Sequence, residues 1–150
     1  MATSGSGLDM GGLPTATKIL LGAAVLLLID SLALPWQSAR TSMWGGSASW
    51  AGVLTGSLAI ALVAWEGLRL TGSDPEVAGQ PASRVGVAIG LGIVAVGVLK
   101  FLFVVTNDAA LGAFVGIILI LAIGYGAWMR AQEPAPTTSR RPSPPRDQAA

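Results

Sequence analysis

Two residues stand out by chemical type and place. Asp30 and Lys100 are the charged side chains that fall clearly within long apolar stretches of the 150-residue chain. A carboxylate and an ammonium in such surroundings have three uses: neutralising one another as an ion pair, lining a path for protons or ions, or snorkelling to a polar boundary. Composition narrows other chemistry. There is no Cys and no His, which excludes disulfides, a thiolate nucleophile, an imidazole base and a Cys/His metal site. General acid–base catalysis needs positioned titratable groups, and one carboxylate with one amine is a poor set. The expectation is a protein that is not an enzyme, with no catalytic residues, no metal site and no cofactor. Gly90-x-Gly92 is no nucleotide fingerprint, because it lies inside an apolar helical run with no strand before it.

The elements that must hold Asp30 and Lys100 follow from hydropathy. The chain is 52% hydrophobic and 11% charged, with a mean hydropathy of +0.65. A soluble domain carries about 25% charged residues, so this chain cannot clothe an ordinary water-facing surface. Its apolar residues form four blocks, at about 19–36, 48–70, 85–106 and 109–129. Each is near the roughly 17–25 residues that cross about 30 Å of hydrocarbon. The blocks lack the alternation of membrane strands. The expected fold class is therefore all-α: a polytopic membrane protein with four transmembrane helices in an antiparallel bundle. Residues 18–130 form that domain, between a flexible Gly/Ser/Thr-rich tail over 1–17 and a disordered Pro- and Arg-containing tail over 131–150. The first block reads as a membrane helix rather than a cleaved leader, because a long polar stretch precedes Lys18 and Asp30 interrupts the apolar run.

Positive charge sets the expected orientation. With both termini cytoplasmic, Lys18, Arg69, Arg84, Arg130, Arg140, Arg141 and Arg146 all lie inside, leaving Arg40 in an outer loop. The expected location is the cytoplasmic membrane, multi-pass, N-in and C-in. Trp36 and Trp50 then fall at the outer boundary, and Trp65 and Trp128 at the inner one. Rings with an apolar body and a polar N–H favour that level, so these four are expected to be interfacial anchors.

Small residues four apart mark faces where helices approach closely. Gly52 and Gly56 do so in the second block, Gly86 and Gly90 in the third, and Gly112 and Gly116 in the fourth. At about 100° per residue, Gly86, Gly90, Gly97 and Lys100 share one sector; Asp30 shares a face with Gly22 and Ala33. The two charges also match in depth. Asp30 lies about 9 Å before Trp36 and Lys100 about 10 Å before Asn107, at 1.5 Å per residue. The expectation is an intramembrane ion pair between Asp30 and Lys100. Glu66 reads as half of a local i,i+3 pair with Arg69 at a helix end.

The Asp-containing first helix ending Leu34-Pro35-Trp36-Gln37, and the Trp65-Glu66-Gly67-Leu68-Arg69 exit of the second, resemble small four-helix integral membrane proteins of unknown function found in high-GC actinobacteria. The resemblance covers about residues 18–130. It implies a four-helix membrane fold and assigns no catalytic or binding residue. The functional expectation is a non-catalytic integral membrane protein that packs against itself or other membrane subunits within the lipid bilayer, with no nucleic acid partner. The alternative is a small oligomeric transporter or channel component using Asp30 and Lys100.

Overall fold

The computed structural model describes residues 12–72, 77 and 79–133. Four helices follow in order: α1 Thr15–Ala33, α2 Ser49–Leu70, α3 Ala82–Val105 and α4 Leu111–Ala131. All four are long and apolar enough to cross a membrane, and no strand occurs among the described residues. Their 19 to 24 residues correspond to lengths of about 29–36 Å at 1.5 Å per residue.

Proline places the ends of α1. Pro14 precedes the helix, where its missing N–H is no loss, and its carbonyl accepts the Lys18 N–H at 3.1 Å. Pro35 disfavours helical geometry in the residue before it, and Leu34 is extended at φ −108°, ψ 140°. The helix therefore begins at Thr15 rather than near residue 19, and stops at Ala33 rather than near Trp36. Thr15–Thr17 belong to it rather than to a tail. The remainder of the two expected tails, 1–11 and 134–150, lies outside the described residues.

The helices form a ring. α1 packs on α4 and α2, and α3 packs on α4 and α2. This leaves α1 across from α3 and α2 across from α4. Leu20, Leu27, Leu62, Ile93, Ile120 and Ile123 fill the centre and are fully buried. Glycine lets the helices close on one another. A methyl group on Gly97 would lie 2.6 Å from Ile120, and one on Gly90 would lie 3.1 Å from Ala127. Facing outward are Leu26, Ile29 and Leu32 of α1, Ile60 of α2, Leu102 of α3 and Ile118 and Leu121 of α4. Apolar surface of that extent suits hydrocarbon rather than water.

The α1–α2 seam is the thinnest of the four because the connection between those helices folds into it. Residues 35–47 turn back against α4 and its preceding loop. Ala110 N–H donates to Trp36 O at 3.0 Å, Gly112 N–H to Pro35 O at 3.0 Å and Ser38 N–H to Asp108 O at 3.2 Å. Gly112 has to be glycine here, since a Cβ would lie 2.6 Å from the Pro35 carbonyl oxygen. Irregular backbone packed against apolar helices needs such protein partners for its N–H and C=O groups.

Candidate functional site

The connection meets the two residues singled out by charge. Asp30 is 3% exposed and Lys100 is 0% exposed. The Asp30 Oδ2 accepts the indole N–H of Trp36 at 3.0 Å, and its Oδ1 has no hydrogen-bond partner. The Lys100 ammonium donates to the backbone carbonyls of Gly45, at 2.9 Å, and Ser47. The two side chains do not form the expected ion pair. The reason is the ring order. Asp30 is on α1 and Lys100 on α3, which lie across from each other. The Asp30 carboxylate lies beside Gly116 of α4, and the Lys100 side chain beside Gly52 of α2. Each charge meets loop atoms before it could meet the other.

A second indole repeats the arrangement one residue on. Trp44 donates its ring N–H to Ser31 Oγ at 3.2 Å. Its ring covers Gly56 of α2, as the Trp36 ring covers Gly116 of α4, and a Cβ at either glycine would clash with the ring. A Cβ at Gly52 would strike the Met43 carbonyl. Four of the expected helix-packing glycines, Gly52, Gly56, Gly112 and Gly116, thus receive the connection rather than only another helix.

A third polar centre stands at the other ends of the helices. Glu66 is fully buried and Arg130 is 4% exposed. The Arg130 guanidinium grips both carboxylate oxygens, Nη1 to Oε1 and Nη2 to Oε2 at 3.0 Å, and Nη2 also donates to Thr17 Oγ1. Such a planar fork matches a carboxylate with two parallel bonds. Arg69 adds a bond to Oε2 at 3.3 Å, so the i,i+3 pair exists as one edge of a larger cluster. Gly86 of α3 makes room for it: a Cβ there would lie 2.6 Å from Glu66 Oε1 and 3.0 Å from Arg130 Nη1. Trp65 donates its N–H to the Ala82 carbonyl at 3.0 Å. The start of α1, the end of α2, the start of α3 and the end of α4 are joined here.

The expected interfacial tryptophans divide. Trp50 and Trp128 are each 57% exposed on the bundle surface. Trp65 is half-buried by its bond to Ala82. Trp36 is 0% exposed, which corrects its reading as a boundary anchor. Because Pro35 stops α1 early, the chain turns and carries Trp36 inward, where Asp30 supplies the one acceptor its N–H needs.

The Glu66–Arg130 pair was the residue set that reading along the chain missed. The local partner Arg69 accounted for Glu66, and Arg130 passed as a flanking positive charge. The signal was present: Glu66 is five residues from the end of α2 and Arg130 two from the end of α4, counting the last residue of each. Among the described residues no group of three or more Asp or Glu side chains stands together to hold a metal ion. No protein-family model, curated protein or solved structure matches this chain.

Proposed function

We propose that this chain is a multi-pass protein of the cytoplasmic membrane, an antiparallel bundle with both termini inside, whose role is non-catalytic and exercised by packing against other membrane subunits or a second copy. The observation that carries this reading is the use of its buried charges. Arg130 and Glu66 tie helix ends together, and Lys100 holds a loop by its carbonyls. An intramembrane charge invites a functional reading by default, but these have structural partners. The cluster joining the start of α1 to the ends of α2 and α4 supports an up-and-down arrangement. The excess of Lys and Arg at that end supports its cytoplasmic placement.

Packing with partners would use the outward faces. The glycines at 52, 56, 86, 90, 97, 112 and 116 meet neighbours within the bundle. Native purification in mild detergent tests the reading. A defined partner or a stable homo-oligomer supports it, and a monomer with no partner under every solubilising condition opposes it.

One observation favours the alternative, a transporter or channel component. Asp30 Oδ1 is a buried carboxylate oxygen with no partner, as a group that receives an ion or proton in transit would be. Flux in liposomes decides: Asp30→Asn abolishes transport if Asp30 lines a path, while absence of any flux by the unaltered protein removes this alternative.

A further inference from the structure

The connection 35–47 covers polar groups, which is an unusual use of two buried indoles. Beneath Trp36 and Trp44 lie Asp30, with one oxygen unpartnered, and Ser31. Thr55 of α2 is also fully buried. A segment that served only to fill the seam would cover apolar side chains and leave no carboxylate oxygen unsatisfied.

The way the segment is held is equally specific. Residues 35–38 are tied by backbone bonds to α4 and its preceding loop, but from Thr41 onward the attachments to the helices are side-chain bonds: Lys100 to two carbonyls, and the Trp44 indole N–H to Ser31. The rings rest on Gly56 and Gly116, whose faces offer no side chain to interlock with them. Its far end is strained. Ala48, at the junction with α2, has φ 52°, and Arg40 within the segment has φ 59°. Residues with a Cβ rarely adopt this left-handed region. Gly46 has φ 68°, and its backbone is packed on the Gln37 side chain.

We propose that residues 41–47 form a lid over Ser31, beside Asp30, hinged at Arg40 and Ala48 and latched by Lys100, whose opening admits water from the outer side to those two groups. The latch is an ammonium bonded to backbone carbonyls, so it breaks without stranding a carboxylate partner. The hinge lies where the backbone already departs from its preferred region. Local opening of such a segment needs none of the helix–helix contacts to separate. The word "outer" rests on the orientation proposed above; the lid itself does not.

The absence of cysteine from the sequence makes the test clean, because an introduced thiol is the only one present. Ser31→Cys places a near-isosteric probe under Trp44. A charged, membrane-impermeant methanethiosulfonate is applied to vesicles of each orientation carrying the full-length variant. The lid predicts slow but measurable labelling in otherwise native protein. Adding Lys100→Met removes the charge-assisted bonds and accelerates labelling about tenfold or more. Gly46→Ala, which strains the closed loop and leaves Lys100 intact, also accelerates it and serves if Lys100→Met does not fold. No labelling of folded Ser31→Cys over many hours, with full labelling after unfolding, overturns the lid. So does a rate unchanged by both additions. Labelling that accelerates as expected but arrives only from the other vesicle orientation supports the lid and overturns the proposed orientation instead.

Discussion

Arg130 of α4 holds both carboxylate oxygens of Glu66 of α2, across 64 residues of sequence and between helices that face each other across the ring. The pair is buried on both sides, and Gly86 of the intervening helix leaves the space it occupies. A bidentate pair that bridges a diagonal joins the ends of α2 and α4 and, through Thr17, the start of α1.

Breaking this pair from one side is expected to be severe. Glu66→Leu leaves a buried guanidinium, a loss of about 3–5 kcal/mol; Arg130→Met leaves the buried carboxylate with the partly exposed Arg69 as its remaining cation and is expected to cost less. The double variant Glu66→Leu with Arg130→Met is expected to lose less than either single, because no charge is stranded. Thermal unfolding in mild detergent provides the comparison, and losses that simply add would contradict the coupling.

Asp30 and Lys100 give the opposite expectation. They touch different partners on opposite sides of the ring. The charge-swapped double variant, Asp30→Lys with Lys100→Asp, is therefore expected to recover none of the stability lost in the singles. In a double-mutant cycle their coupling should be within about 0.5 kcal/mol of zero. A swap that restores stability would show that the two pair after all.

Glycine positions should separate by what their missing Cβ would meet. Gly86→Ala drives a methyl group to 2.6 Å from Glu66 Oε1, so it is expected to destabilise and to weaken the Arg130 bond. Gly22 and Gly67 have nothing within 4 Å of a built Cβ. There, alanine is expected to be neutral or to stabilise by about 0.5–1 kcal/mol, the ordinary helix-interior difference. The same unfolding assay ranks them, and equal effects at 22 and 86 would refute the packing described.

Tryptophan quenching reads the position of the indoles. In bilayers with brominated acyl chains, Trp50 and Trp128 are expected to be quenched and Trp36 to be shielded. Trp50→Phe and Trp128→Phe should each remove part of the quenchable emission. Trp36→Phe should remove only unquenched emission, and should also cost about 1–3 kcal/mol by leaving the Asp30 carboxylate without its donor. Strong quenching of Trp36 would place it at the lipid boundary instead.

What the sequence determined by itself is the one-dimensional content. Runs of apolar residues at lipid-spanning length give four helices whatever their neighbours, because an unpaired backbone in an apolar setting has no better solution than a helix. Pro35 and Pro81 set two of the ends within a few residues. Recurrent glycines mark the close-approach faces, and Asp30 and Lys100 stand out by charge, whereas Glu66 reads only as a local partner of Arg69. Which groups meet was decided by the tertiary structure. The order of helices around the ring separates Asp30 from Lys100 and brings Arg130 to Glu66. Periodicity gives each helix a face but not the identity of the helix opposite it. The early stop at Ala33 turns the start of the connection inward, and with it moves Trp36 from the boundary to the core. Pairing in space depends on contacts between distant residues, and no local pattern carries that information.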